Sequence, residues 1–421
     1  MLYYGRGSEN DKLNAEDLRG GLYAALDKIG PKKKVLAVPP DITRFHSQAG
    51  ILTRLAWQYY NEQLTDILPA LGTHFAMTSK ETSRMFGDVP QDLFRVHNWR
   101  RDVITLGEVP AEFVKKASEG TVDFSWPVQV NRLLVEGGFD LILSIGQVVP
   151  HEVIGMAGYN KNILIGTGGA ESINKSHFLG AAYGIERIMG RIDSPVRRLL
   201  NYAAKRYAEN LPVVYVLTVV AASDKGCLTR GLFIGDDTEC FERAAELSLK
   251  VNVQLLDKPL NKVVVYLAPE EFKSTWLGNK SIYRTRMAMA DNGELIVLAP
   301  GLKEFGEDTE IDRLIRKYGY VGAEKVFGLV EKHQELRNNL SAAAHLIHGS
   351  SEGRFKITYC PGYLTKEEIE SVSFEYADLK EMTNRYNLRK LKDGFNMVNG
   401  EEIFFVSNPG MGLWAIKNQF E

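Results

Sequence analysis

Residues 139–177 read FDLILSIGQVVPHEVIGMAGYNKNILIGTGGAESINKSH. The first seven, Phe139 to Ile145, form an apolar, β-branched run of the length of a buried strand. The residues after Ile145 emerge at a strand's carboxyl end, where open α/β sheets bind their ligands. The emerging loop carries His151, Lys161 and His177, ten and sixteen positions apart, with Gly166, Gly168 and Gly169 between the last two. Neither interval is the i, i+4 pair with which two histidines on one helix bind zinc. Singly, each reads most simply as a capping, surface or solvated group. Together, after a buried strand, they mark a candidate site that only the tertiary fold can assemble.

Toward the amino terminus the pattern repeats. A helix over Asn14 to Ile29 leads to a strand, Val35 to Val38, that ends in PPDITRFHSQAG. Two prolines stop the pairing, and Asp41 and Thr43 are good caps or turn formers. Thr43 and Arg44 can meet an anion at a helix start; the plain alternative is that Asp41 caps the helix and pairs with Arg44. Ile51 to Leu64 reads as a helix and Asp66 to Leu71 as a strand, followed by Gly72, Thr73 and His74. A helix opens near Thr78 or Ser79, and a strand covers Asp102 to Leu106. Trp126 and Pro127 are expected at an edge or in a loop, and His97 as a surface or packing residue.

Toward the carboxyl terminus come a helix over Ser194 to Tyr207, strands over Leu211 to Val220 and Leu228 to Ile234, and a helix over Asp236 to Ser248. The strand Lys262 to Leu267 begins a second set. It includes Tyr283, Arg284, Thr285 and Arg286, a strand at Glu294 to Leu298, two helices over Thr309 to Leu340, and a helix from Ser341 to Ser351 with His345 and His348. The strands Lys356 to Cys360 and Glu401 to Val406 complete it. The usual fate of residues such as Arg284 and Arg286 is a solvated face. The fold class is α/β, and the boundaries fall at residues 1–258, 259–406 and a terminal 407–421 that is a candidate for return to the first domain.

At 421 residues the chain exceeds one ordinary core. Lys plus Arg number 51 and Asp plus Glu 53, a formal charge of −2. No broad basic field is available for nucleic acid or an anionic membrane, so any anion must be met locally. Cys227, Cys240 and Cys360 form no CxxC or paired framework. No basic-then-apolar leader opens MLYYGRGSEND, and the longest apolar run, Val213 to Ala222, is too short to cross a bilayer. The expectation is a soluble, cytoplasmic protein, a homo-oligomer being compatible with the sequence.

With DITR at 41–44, GTH at 72–74, PH at 150–151, Lys161 and His177 in order, the chain resembles the nickel-dependent lactate racemase family. The resemblance implies two α/β domains with the active site in the cleft between them, the first carrying the cofactor and catalytic residues and the second contributing substrate contacts. It also implies a nickel-pincer nucleotide, a pyridinium mononucleotide whose two sulfur arms hold Ni(II). Dedicated biosynthesis enzymes make this cofactor, and protein produced without them is expected to lack it. Lys161 would carry the thioamide link and His177 would complete the nickel's coordination. His74 and His151 match the family's two catalytic histidines, one for each direction in which a 2-hydroxy acid presents its hydroxyl. Arg44 matches the anchor for the substrate carboxylate, and Asp41 and Thr43 sit in the turn that approaches the cofactor.

Such chemistry has a physical rationale. Removing the α-proton of a 2-hydroxycarboxylate would leave a carbanion beside an ionised carboxylate, which no ordinary side-chain base stabilises; moving a hydride avoids that charge. The second domain departs from the lactate-type pattern, which has a glutamine and a lysine after an aromatic where this chain has Arg284 after Tyr283 and no lysine. Arg284, with Arg286, His345 and His348 as further candidates, suits a larger or more polar acid than lactate. An aldonate epimerised at C2 is favoured over a hydroxydicarboxylate, because Ser350, Ser351 and Glu352 offer hydroxyl partners. Two alternatives are a Schiff-base lysine lyase or aldolase at Lys161, and a small-acid binding protein without chemistry.

Overall fold

Largely buried strands connected mostly by helices build two six-stranded sheets in this computed structural model, which describes residues 1–223 and 226–420 with no account of the Gln419 side chain. The chain divides into two compact units, Met1–Tyr183 with Arg187–Asn252, and Gly184–Glu186 with Val253–Glu421.

The first unit's main sheet contains β1 (Leu2–Gly7), β2 (Val35–Val38), β3 (Leu64–Ile67), β4 (Leu141–Gln147), β5 (Val213–Ser223) and β6 (Gly226–Gly235). Their order across the sheet is β1-β6-β5-β4-β2-β3. The four from β5 to β3 run parallel, while β1 and β6 extend the edge antiparallel. Period-two alternation divides each strand between two cores. Val35, Ala37, Leu141, Leu143 and Ile145 pack with the helices Ala15–Ile29 and Ala49–Tyr60. Leu36, Val38 and Ile142 pack on the other face with Leu179, Leu199 and Ala244, from the helices Ala170–Tyr183, Pro195–Tyr207 and Thr238–Asn252. Helices on both faces of a mostly parallel sheet make this a doubly wound α/β layer.

The chain leaves β2 for β3 on one side and β4 for β5 on the other. That reversal falls at the carboxyl ends of β2 and β4, the place where such sheets bind ligands.

Trp126 and Pro127 lie in a strand, Trp126–Asn131, paired antiparallel with Val103–Val109. The two-stranded ribbon has an open edge, so proline's missing N–H costs no ladder bond. Trp126 is fully buried, its indole N–H donating to the Ser172 carbonyl at 2.8 Å. The strand Leu2–Gly7 has no clean alternation in sequence and was not expected.

The second unit has its own mixed sheet: β7 (Leu260–Tyr266), β8 (Met289–Ala299), β9 (Lys356–Pro361), β10 (Glu375–Tyr376), β11 (Gly394–Val398) and β12 (Glu401–Val406). The order is β10-β9-β8-β7-β12-β11, parallel throughout except for the β11–β12 hairpin. Leu413–Ile416 pairs in parallel with Val253–Leu256 at this unit's start; Glu421 lies outside the described residues. Among the described residues no helix is long and apolar enough to cross a membrane.

Candidate active site

Three adjacent parallel strands deliver the candidate groups of the first unit. After β2 the chain enters a 3-10 helix, Ile42–Ser47, capped by Asp41, whose Oδ1 accepts the Thr43 N–H at 3.0 Å and the Thr43 hydroxyl at 2.5 Å. Asp41 does not pair with Arg44: its Oδ2 lies 2.6 Å from Nδ1 of His74, which comes from the loop after β3. Burial by itself would raise the Asp41 pKa, but the charge of His74 and the hydrogen bonds from His74 and Thr43 outweigh it, and the net shift is downward. Asp41 is therefore an ionised acceptor at neutral pH. Nη1 of Arg44 is buried and has no hydrogen-bond partner among the described residues.

The loops after β3 and β4 are tied together. The Gly72 N–H donates to the Gly166 carbonyl at 2.8 Å. Gly166 must be glycine, because a Cβ there would come within 2.4 Å of the Asn162 carbonyl oxygen and 2.7 Å of Ala70 Cβ. Lys161 lies on the short helix Asn160–Leu164. The neighbouring Asn162 amide donates to Val38 O at 2.8 Å and Ser144 Oγ at 3.2 Å, fixing this helix over the ends of β2 and β4. On the other side Asn160 accepts from the buried Arg197, which also donates to Met156 O at 2.7 Å and lies 4.2 Å from the Phe241 ring centre.

His177 stands on the helix Ala170–Tyr183, its Nδ1 2.8 Å from the Ile173 carbonyl one turn back. A carbonyl only accepts, so Nδ1 bears the hydrogen and Nε2 keeps its lone pair, the arrangement seen in metal-bound imidazoles. Surrounding protein brings its pKa down to about 4 by burial, and the charges of Lys161 and His74 add to the effect while Glu152 opposes it. His177, Lys161, His74 and Glu152 thus share one electrostatic environment. His151, next to Glu152, is buried on a two-residue strand, Pro150–His151, paired with Gly155–Met156. Its Nδ1 accepts the Val153 N–H at 3.1 Å, and its Nε2 lies 3.7 Å from Glu152 Oε1.

Sequence reasoning missed Gln147, the last residue of β4. It is 5% exposed, and neither amide atom has a hydrogen-bond partner among the described residues. A polar residue closing an apolar strand just before the loop was the available signal. His97 is a packing residue: it is buried, Nε2 3.0 Å from the Gly168 carbonyl and Nδ1 2.9 Å from the Asn131 amide.

In the second unit Arg284 and Arg286 are both buried rather than solvated. Arg284 lies on the helix Lys280–Thr285, while Arg286 pairs with Glu186 at 3.1 Å and donates to the His348 and Ser350 carbonyls. His345 bridges two phenols, Tyr283 at 2.8 Å and Tyr320 at 2.9 Å, and the rings of Tyr283 and His348 lie 5.8 Å apart. The carboxylate of Glu352 caps the helix Ala323–Lys332 through the Ala323 N–H. Ser350 and Ser351 line a small polar cavity with Tyr320, Lys356, Ser373 and Glu375.

The sequence pattern of the lactate racemase N-terminal domain family matches residues 23–185, a stretch that contains every first-unit candidate from Asp41 to His177. The lactate racemase of Thermoanaerobacterium thermosaccharolyticum is 30% identical over 162 residues, 37% of this chain and 34% of that protein, so the match spans about a third of the curated relative. The lactate racemase apoprotein structure from the same organism covers 98% of this chain and 94% of its own with a TM-score of 0.69; at 18% identity it shows the shared fold. A structural genomics crystal structure of a Thermotoga maritima protein is similar over 97% of this chain and 100% of its own, with 26% identity and a TM-score of 0.85.

The donor set around His177 bears on the metal that the sequence resemblance implies. Among the described residues no group of three or more His, Cys, Asp or Glu side chains could hold a metal. Among the described residues the Nε2 lone pair of His177 thus has no such set around it, and a metal there would take further donor atoms from a bound group, such as a nucleotide with its own sulfur arms.

Proposed function

We propose that the protein is an isomerase, a racemase or epimerase that inverts C2 of a 2-hydroxy acid using a nickel-pincer nucleotide. The observation that carries this reading is the tethering of two rings: Nδ1 of His74 by Asp41 and Nδ1 of His177 by the Ile173 carbonyl. As a neutral ring each keeps an Nε2 lone pair, in an environment shared with Lys161.

In this reading Lys161 would carry the covalent link to the nucleotide and His177 would be the nickel ligand. Such a group would supply, when bound, a reversible hydride acceptor for C2 of the substrate. Arg44 holds the substrate carboxylate, its buried Nη1 offering a donor in the planar fork that fixes a carboxylate's orientation. His74 takes the hydroxyl proton at Nε2, the imidazolium that results being neutralised by Asp41. His151 handles the proton of the opposite stereoisomer. Asp41 orients His74, and Thr43 donates to Asp41, so both act on the proton path before they act on the nucleotide. Arg284 and the hydroxyl-bearing segment at Ser350 and Ser351 suit a sugar acid such as an aldonate.

The test is intact mass of protein produced with the cofactor's biosynthesis enzymes and nickel. An adduct mapping to Lys161, together with loss of α-deuterium or change of optical rotation across a panel of 2-hydroxy acids, is expected. Active protein with unmodified Lys161 sinks the reading, and borohydride trapping of a carbonyl substrate on Lys161 would replace it with Schiff-base chemistry.

A further inference from the structure

The two imidazoles assigned to proton transfer are held in opposite tautomers. We infer that they are unequal partners: in the resting protein His74 is set as a proton acceptor at Nε2 and His151 as a hydrogen-bond donor at Nε2. The inference deepens the racemase reading and rests on it for its chemical meaning.

At His74 the neighbour of Nδ1 is Oδ2 of Asp41, at 2.6 Å. The other oxygen of that carboxylate already accepts two bonds from Thr43. An ionised carboxylate has no hydrogen to give, so in the neutral ring Nδ1 of His74 bears the proton and Nε2 the lone pair. At His151 the polarity is reversed. The neighbour of Nδ1 is the backbone N–H of Val153, at 3.1 Å. A backbone N–H only donates, so Nδ1 of His151 bears the lone pair and the neutral ring's hydrogen sits on Nε2, on the side of Glu152 Oε1 at 3.7 Å.

The consequence is an order of events. A substrate hydroxyl facing His74 can lose its proton at once: the O–H bond breaks, its electron pair stays on oxygen, and the new N–H bond forms at Nε2. A hydroxyl facing His151 meets an N–H instead. For His151 to accept there, its ring must first release the Nε2 proton and take one at Nδ1, which breaks the bond from Val153 because two N–H groups would then face each other. His151 is thus ready to donate a hydrogen bond to the substrate's oxygen before it is ready to act as a base. Asp41 and the Val153 backbone are the positioning groups that set this order.

The test uses the full-length, cofactor-free protein labelled with 15N-histidine, in long-range 1H–15N correlation spectra above about pH 7.5, where free imidazole is mostly neutral. His74→Gln and His151→Gln assign the two rings. The expected result is the Nδ1–H pattern for His74 and the Nε2–H pattern for His151. Asp41→Asn is expected to release His74 into a mixture containing the Nε2–H form and to leave the His151 signals in place. An Nδ1–H pattern for His151, or one tautomer for both rings, overturns the inference from the wild-type spectrum alone. Opposite tautomers here, combined with no adduct on Lys161 in protein produced with the biosynthesis enzymes and nickel, would uphold the ring assignment and overturn the racemase reading instead.

Discussion

Gln147 is a primary amide held away from water at the end of the central strand, with no hydrogen-bond partner among the described residues. Such a group loses its hydration without replacement, which costs about 1–3 kcal/mol. Gln147→Leu is therefore expected to leave the thermal midpoint of the cofactor-free protein unchanged or to raise it; a fall of several degrees in calorimetry would mean that the amide contributes a bond. His97 makes a contrasting case. Burial lowers its pKa below 6.5, although the Gly168 carbonyl and the charge of Asp102 oppose the shift. The folded state then binds fewer protons than the unfolded state as pH falls below about 6.5, so this part of the stability is complete at higher pH and is lost on acidification, at up to about 1.4 kcal/mol per pH unit. Urea midpoints at about pH 7 and about pH 5.5 should show a smaller drop for His97→Gln than for wild type. Motif spacing made Asp41, His74, His151, Lys161 and His177 legible as candidates. It could not reveal that Asp41 belongs with His74, because the two meet only through pairing of β2 with β3. Nor could it reveal that Arg284 is buried, since a charged residue is exposed in most folds.

Elements carry the next level of determination. The strand Leu141–Gln147 was readable because a run buried on both faces is apolar throughout, and the capped helices announce themselves with Asn14, Thr78 and Ser194. Residues 102–131 were harder to read, since a two-stranded ribbon buries its faces unevenly and tolerates Pro127. The helix Pro195–Tyr207 reads as an ordinary amphipathic element, yet its Arg197 points inward and gathers the loop from Met156 to Asn160 just before Lys161. Burial lowers the pKa of that guanidinium to about 9. Arg197→Leu leaves Met156 O and the Asn160 amide without their donor and is expected to cost about 3 kcal/mol in urea unfolding. Hydrogen exchange in the cofactor-free variant should accelerate over residues 156–165 more than over the β5 and β6 strands.

For the molecule as a whole, length alone pointed to more than one core, and the chain forms two units with separate sheets. Unfolding in denaturant is expected to depart from a single two-state transition. Removal of residues 413–421 strips Val253–Leu256 of its paired strand, since Leu413–Ile416 is the other half of that ribbon. Hydrogen exchange followed by mass spectrometry should then show faster exchange across the second unit and unchanged protection in β2, β4 and β5. Equal loss in both units would mean that they share one cooperative core.

Asp41, Thr43, Arg44, His74, His151, Lys161 and His177 all lie between positions 41 and 177 of the chain, inside the first unit. A lineage can accumulate substitutions throughout residues 253–420 without touching any of them. Under the proposed reaction, inheritance is modular: descendants that accept different acids would keep a common catalytic ancestry in one half of the gene and write their diversity in the other.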